Sequence, residues 1–202
     1  FKGSAGSICT ATFFSGVALK RAVITSLKLS PKGDCSYDPN GPIGEWDVSC
    51  LTDMDKIFDD ARSFNGDVSK WDVSSAITMN AMFAGATSFN GDISKWDVSR
   101  VLNMASMFSN SQMFNSEIST WDVSSVTNMN EMFHMATLFN CDITKWVVSR
   151  VTDMSSMFSD AQSFNVDVSN WDVSNVRTMN RMFWNAASFT HKLCGTAWGN
   201  LK

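Results

Sequence analysis

The chain has 202 residues with 20 acidic and 16 basic side chains, for a formal charge of −4. That length serves one domain or one elongated module with a real core, and the interspersed charges leave no basic face for nucleic acid or an anionic membrane surface. A bilayer-spanning helix needs a run of roughly 18 or more apolar residues, and the most apolar segment, 11–27, is interrupted by Lys20 and Arg21, so no transmembrane segment is expected. A first residue of Phe1 rather than Met reads as a processed product or a fragment whose targeting signal is missing.

Taken in chain order, residues 1–42 are expected to form an N-terminal capping segment, with a helix near Thr10 to Ser26 and then a loop. From residue 43 to 191 the chain repeats. Trp46, Trp71, Trp96, Trp121, Trp146 and Trp171 are each 25 residues apart, giving six copies without an insertion or deletion. Such strict phase implies stacked units. Five residues after each Trp stands Leu51, Ala76, Val101, Val126, Val151 or Val176, and three residues further a Met, from Met54 to Met179. Met-Phe follows, with Ile57-Phe58 as the variant, then Phe-Asn from Phe64-Asn65 to Phe164-Asn165, drifting to Phe189-Thr190.

In the fourth copy Ile118, Trp121, Val123 and Val126 have the spacing of the strand segment of a leucine-rich repeat. Trp121 and Val123 alternate around Asp122 as a short strand requires. Val126, Met129, Met132, Phe133 and Ala136 then fit one face of a helix, with Thr127 or the preceding serines as its cap. The predicted fold class is therefore an α/β solenoid, a right-handed leucine-rich-repeat-like stack of six 25-residue strand-helix repeats with a parallel sheet along one side and caps at both ends. In residues 192–202 Leu193 keeps the strand phase but Thr196 stands where a Trp would, so this degenerate C-terminal cap is predicted as a closing strand.

The repeat FNxDISxWDVSxVTxMxxMF resembles the BspA-like leucine-rich repeats, also described as the bacterial surface protein 26-residue repeat or the mycoplasma-lipoprotein-associated repeat family. The likeness spans Ile43 to Phe189, and residues 18–49 resemble the segment that precedes the first repeat in that family, with a Gly-Asp-Cys-Ser variant closest to versions from algae and other protists. The resemblance implies a leucine-rich-repeat-like solenoid with a non-enzymatic binding or adhesive role, and names no partner.

The conspicuous columns read mainly as architecture. Met spaced three residues apart beside Phe is adaptable core rather than a soft-metal site, and the inward Trp column is core rather than a sugar-stacking platform. Asn65, Asn90, Asn115, Asn140 and Asn165 are expected to form a ladder that satisfies backbone groups from one unit to the next, and serines 49, 74, 99, 124, 149 and 174 to serve turns. Asp47, Asp72, Asp97, Asp122 and Asp172 form one acidic column, and Asp67, Asp92, Glu117, Asp142 and Asp167 a second. Stacking puts like charges about 5 Å apart, a repulsion of roughly 1 kcal/mol even in water. Ionic or backbone pairing is the expected offset. A calcium ladder is the alternative, although the glycine-rich repeat of calcium-binding rolls is absent. His134 and His191 are the only histidines, lie in different repeats and have no nucleophile motif beside them, so no catalytic site, resident metal or cofactor is expected.

Departures from the columns point to a partner interface. Met113 and Leu138 replace the usual Ser, Cys141 and Val166 replace Gly or Ser, Val147 breaks the first acidic column, and Trp184 replaces a small or polar residue in the last copy. The first four are expected to form one apolar patch; ordinary repeat drift is the competing explanation. Cys9, Cys35, Cys50, Cys141 and Cys194 include no C-x-x-C pair, and a Cys35–Cys50 disulfide is expected at the cap junction in an oxidising compartment. The expected role is a non-enzymatic protein-protein interaction module, a scaffold or peripheral subunit of a large membrane-associated complex, for instance in an organelle lumen. The alternative is a cell-surface or secreted adhesin for proteins or glycans, and an ice-binding array is a distant third. The first two imply a non-cytosolic location.

Overall fold

The computed structural model describes residues 13, 15–34, 40–194 and 196–199. Helix α1, Gly16–Leu29, opens on Ser15, whose Oγ accepts from the Ala18 N–H at 3.2 Å, and closes with the Ser30 N–H on the Ser26 carbonyl. It thus starts and ends later than the sequence pattern predicts. Leu19, Val23 and Ser26 form its buried face, at helical spacing. A Cβ on Gly16 would lie 2.4 Å from the Asp53 carbonyl oxygen, so only glycine allows the start of α1 to sit this close to the repeats. A 3-10 turn over Ile43–Glu45 leads into Trp46.

From there the chain winds in coils counted from each Trp: 46–70, 71–95, 96–120, 121–145, 146–170 and 171–194. Parallel bridges join Asp53 to Thr78, Thr78 to Asn103, Asn103 to Asn128, Asn128 to Asp153 and Asp153 to Thr178, so successive coils stack in 25-residue register.

The described part of each coil contains neither the predicted helix nor the predicted strand. In the fourth coil the N–H groups of Met129, Glu131, Phe133 and Met135 donate to the carbonyls of Asp153, Ser155, Met157 and Ser159 in the next coil, at 2.8–2.9 Å. The intervening Met132, His134 and Ala136 donate to Met129, Glu131 and Phe133 of their own coil at 3.1–3.2 Å. An α-helix would direct every N–H four residues back; here alternate donors leave the coil. Glu131 (φ 55°) and Met135 (φ 57°) take the left-handed conformation that this alternation needs, as do their counterparts in the other coils. A non-glycine residue pays about 1 kcal/mol or more for that conformation. Each inter-coil hydrogen bond returns a net ~0.5–1.5 kcal/mol, and the buried side chains add to it. The segment around Trp121 and Val123 is likewise held by local turns, Trp121 on Ile118 and Val126 on Val123.

The side chains stack as regularly as the backbone. Phe58, Phe83, Phe108, Phe133, Phe158 and Phe183 form one file, with ring centroids 5.1–5.8 Å apart. Phe64, Phe89, Phe114, Phe139, Phe164 and Phe189 form a second at 5.8–6.1 Å. Within each coil the two rings stack at 3.8–4.2 Å. The six repeat tryptophans are buried, and from Trp71 to Trp171 each indole N–H donates to a carbonyl 28 residues earlier at 2.8–3.3 Å. Their faces are unavailable for sugar stacking.

At the C-terminal end the predicted closing strand is replaced by a one-turn helix α2, Thr196–Gly199. Trp198 donates to the Ser169 carbonyl at 3.1 Å, and with Leu193 it packs against the core, partly buried.

Candidate interaction surfaces

The acidic columns are turn-forming residues. Oδ1 of Asp97 accepts both the N–H and the hydroxyl of Ser99, at 3.0 and 2.6 Å. Asp47, Asp72, Asp122 and Asp172 bind the N–H of Ser49, Ser74, Ser124 and Ser174 in the same way. In the second column Asp67, Asp92, Glu117, Asp142 and Asp167 accept from the residue two positions on. Side-chain hydrogen bonds from these serines and threonines, reinforced by the backbone N–H, hold the carboxyls of Asp67, Asp92, Asp97, Asp122, Asp142, Asp167, Asp172 and Glu117 below their usual values. These bonds offset the repulsion along the stack. Among the described residues no group of three or more His, Cys, Asp or Glu side chains is placed to hold a metal ion.

The asparagine column forms the expected ladder. Asn65, Asn90, Asn115 and Asn140 each accept, through Oδ1, the N–H of the asparagine one coil on at 2.7–2.8 Å, and Asn165 takes Thr190 at 3.0 Å.

The six pattern breaks do not form one surface. Met113 and Leu138 are 52% and 45% exposed and occupy the same column of adjacent coils, with the Leu138 N–H on the Gln112 carbonyl beside Met113. Cys141 and Val166, expected beside them, are buried. Their column points inward against the second Phe file: a Cβ on Gly66 or Gly91 would lie 2.8 or 3.0 Å from the ring of Phe64 or Phe89. Cys141 is a free thiol whose sulfur takes the Ile118 N–H at 3.4 Å, and burial pushes its pKa up to about 11, so it is a poor nucleophile. Val147 is exposed in a different column, that of Asp97 and Asp122, and Trp184 is exposed on the last coil with the Arg181 guanidinium 5.8 Å above its ring.

The sequence reading missed another exposed apolar side chain on the coils of Met113 and Leu138. Met135 lies three residues before Leu138 and is exposed in the left-handed conformation. Its column is otherwise Asp60, Gly85, Asn110, Asp160 and Asn185, residue types suited to that conformation, so the lone Met was the available signal.

Cys50 is disulfide-bonded; Cys35, its expected partner, lies outside the described residues, and Cys194 is free and exposed. A groove of about 660 Å³, lined by Lys32, Asp34, Glu45, Asn65, Asp67 and Ser88 among others, lies between the loop after α1 and the first coils and contains none of the predicted interface residues. Among the described residues no helix is long and apolar enough to cross a membrane.

A family model described as "Mycoplasma protein of unknown function, DUF285" matches residues 32–124 and 114–201. The chain belongs to this family. The matched residues take in all six coils and leave out α1, so the family signature lies in the stacked repeat. No curated protein and no solved structure matches the chain.

Proposed function

We propose that this member of the family is a leucine-rich-repeat-like solenoid of the BspA type that works without catalysis, as a protein-protein interaction module: a scaffold or peripheral subunit of a larger assembly. The observation that carries the reading is that Met113, Leu138 and Met135 are three exposed apolar side chains on adjacent coils whose other repeats put small or polar residues there. Large apolar side chains grouped on a regular surface favour burial against a partner. The test is the native size of the chain in a gentle detergent extract of its source, by gradient sedimentation. The chain is expected to travel far above 22.3 kDa, and a Met113→Asp/Leu138→Asp variant with an unchanged circular dichroism spectrum to travel as a monomer. A wild-type chain that travels alone sinks the subunit reading.

The disulfide at Cys50 favours a second reading, a cell-surface or secreted adhesin for proteins or glycans, because such bonds persist in oxidising compartments. An adhesin is released from intact cells by mild protease, whereas a lumenal subunit is protected. Both readings place the chain outside the cytosol.

A further inference from the structure

The 13 methionines of the chain sort into two environments. Ten are core residues no more than 3% exposed, and Met179 is partly buried against the same core. Met113 and Met135 alone are exposed, at 52% and 39%. Neither position calls for sulfur. The Met113 column otherwise holds Ser63, Ser88, Leu138, Ser163 and Ser188, and Met135 takes a left-handed φ of 57° where the other coils place Asp, Asn or Gly. A long side chain gains nothing from that backbone conformation. With Leu138 these two residues carry the interaction-module reading, so every exposed methionine of the chain belongs to the surface that the reading uses.

Hydrogen peroxide transfers one oxygen atom to a thioether: the sulfur loses two electrons and becomes the sulfoxide, the O–O bond breaks, and water leaves. The oxidant must touch the sulfur, and a core sulfur is reached only after its coil opens. We infer that Met113 and Met135 form an oxidation site at which a hydroperoxide turns the apolar surface polar and prevents docking while the stack stays folded. This regulation rests on the interaction-module reading of the same side chains. A docked partner would shield both sulfurs, so the free chain is the form that reacts. Burying a sulfoxide against an apolar partner, with no donor to meet its oxygen, is expected to weaken docking about ten-fold or more per residue. The stack survives because neither side chain belongs to the core or to the phenylalanine files. Their backbone bonds, from Met113 to the Thr87 carbonyl at 3.2 Å and from Met135 to the Ser159 carbonyl at 2.8 Å, do not involve the sulfur. Cys141 does not supply the same switch, since its thiol is buried and its pKa of about 11 leaves little thiolate.

The test treats the whole purified chain with graded hydrogen peroxide and reads each methionine by fragment mass spectrometry. Met113 and Met135 are expected to oxidise at least about ten-fold faster than Met107, Met129 and Met132 of the same two coils, with an unchanged circular dichroism spectrum. After catalase has removed the peroxide, the tagged chain is added to the gentle detergent extract of its source and sedimented. The untreated chain is expected to travel with the assembly and the oxidised chain as a monomer. Met113→Leu/Met135→Leu keeps the surface apolar and still carries the exposed Cys194 thiol, and is expected to travel with the assembly before and after peroxide. Met113→Gln/Met135→Gln, which puts a polar group in place of each sulfur, is expected to travel alone without any oxidant. The oxidation site is overturned if the core methionines react as fast, if the two sulfoxides unfold the stack, if the oxidised chain stays with the assembly, or if peroxide releases the Leu variant as well. An untreated chain that travels alone instead removes the module reading and the switch with it.

Discussion

The two ends of the stack are finished differently. At the N-terminal end α1, a capped 14-residue helix, buries Leu19 and Val23 and approaches the first coil through the glycine contact at Asp53. At the C-terminal end a single turn, Thr196–Gly199, supplies Trp198, and the last coil keeps Met179 and two rings half-covered. A stack of identical layers has no internal reason to stop, so its ends are set by whatever replaces the missing neighbour. The first end is met by a helix with its own hydrogen bonds; at the second, the N–H groups of Met179, Arg181, Phe183 and Asn185 have no acceptor among the described residues.

The sharpest way to break that comparison is to remove one ring from the middle and one from the end. Phe133 is fully buried between Phe108 and Phe158, so Phe133→Ala is expected to cost about 3–5 kcal/mol in urea unfolding. Phe183→Ala, partly exposed and with a stacked neighbour on one side only, is expected to cost less than half as much. Equal costs would mean that the last coil is as closed as the fourth. At the other end Gly16→Ala pushes a Cβ into the Asp53 carbonyl and is expected to cost about 1–3 kcal/mol, with the first coil's amides losing protection and those of the sixth unchanged. A loss spread evenly over all coils would instead make the stack one cooperative unit.

The smallest expected effect is that of mild acid. The serine- and threonine-bonded carboxyls have folded pKa values below their unfolded values, so their contribution is fully present above the unfolded values, near 4. It is lost as the pH falls through the lowered folded values. Between pH 7 and pH 5 the thermal midpoint should hold, and it should fall below about pH 4. In that acid range Asp97→Asn should show a shallower fall than the parent; an identical profile would remove the serine bond as the cause.

Much of this architecture was legible because the repeat states each position six times. The 25-residue register, the buried Trp and Phe columns and the asparagine ladder all follow from residues at fixed spacing. The helix was misread for a physical reason: Val126, Met129, Met132, Phe133 and Ala136 recur every three or four residues whether the chain makes helical turns or successive tight turns. The discriminating signal was the column of Asp60, Gly85, Asn110, Asp160 and Asn185, types that favour a left-handed turn over a helix interior. Cys141 and Val166 were misplaced because side-chain direction in this loop depends on the neighbouring Phe ring, and Gly66 and Gly91 already marked that close approach. The candidate interface was legible only where a large residue replaced a small one in an outward column.

The asparagine ladder also bears on how such chains change length. Each Oδ1 meets a backbone N–H presented identically one coil later, so if coil three were deleted, Asn90 would meet the N–H of Asn140 as it now meets that of Asn115. A gain or loss of one whole coil leaves every rung of the ladder filled, whereas a change of any other size breaks one. Growth by unequal crossover in units of 25 residues is therefore structurally almost silent, and variation in reach along the stack comes in quantised steps.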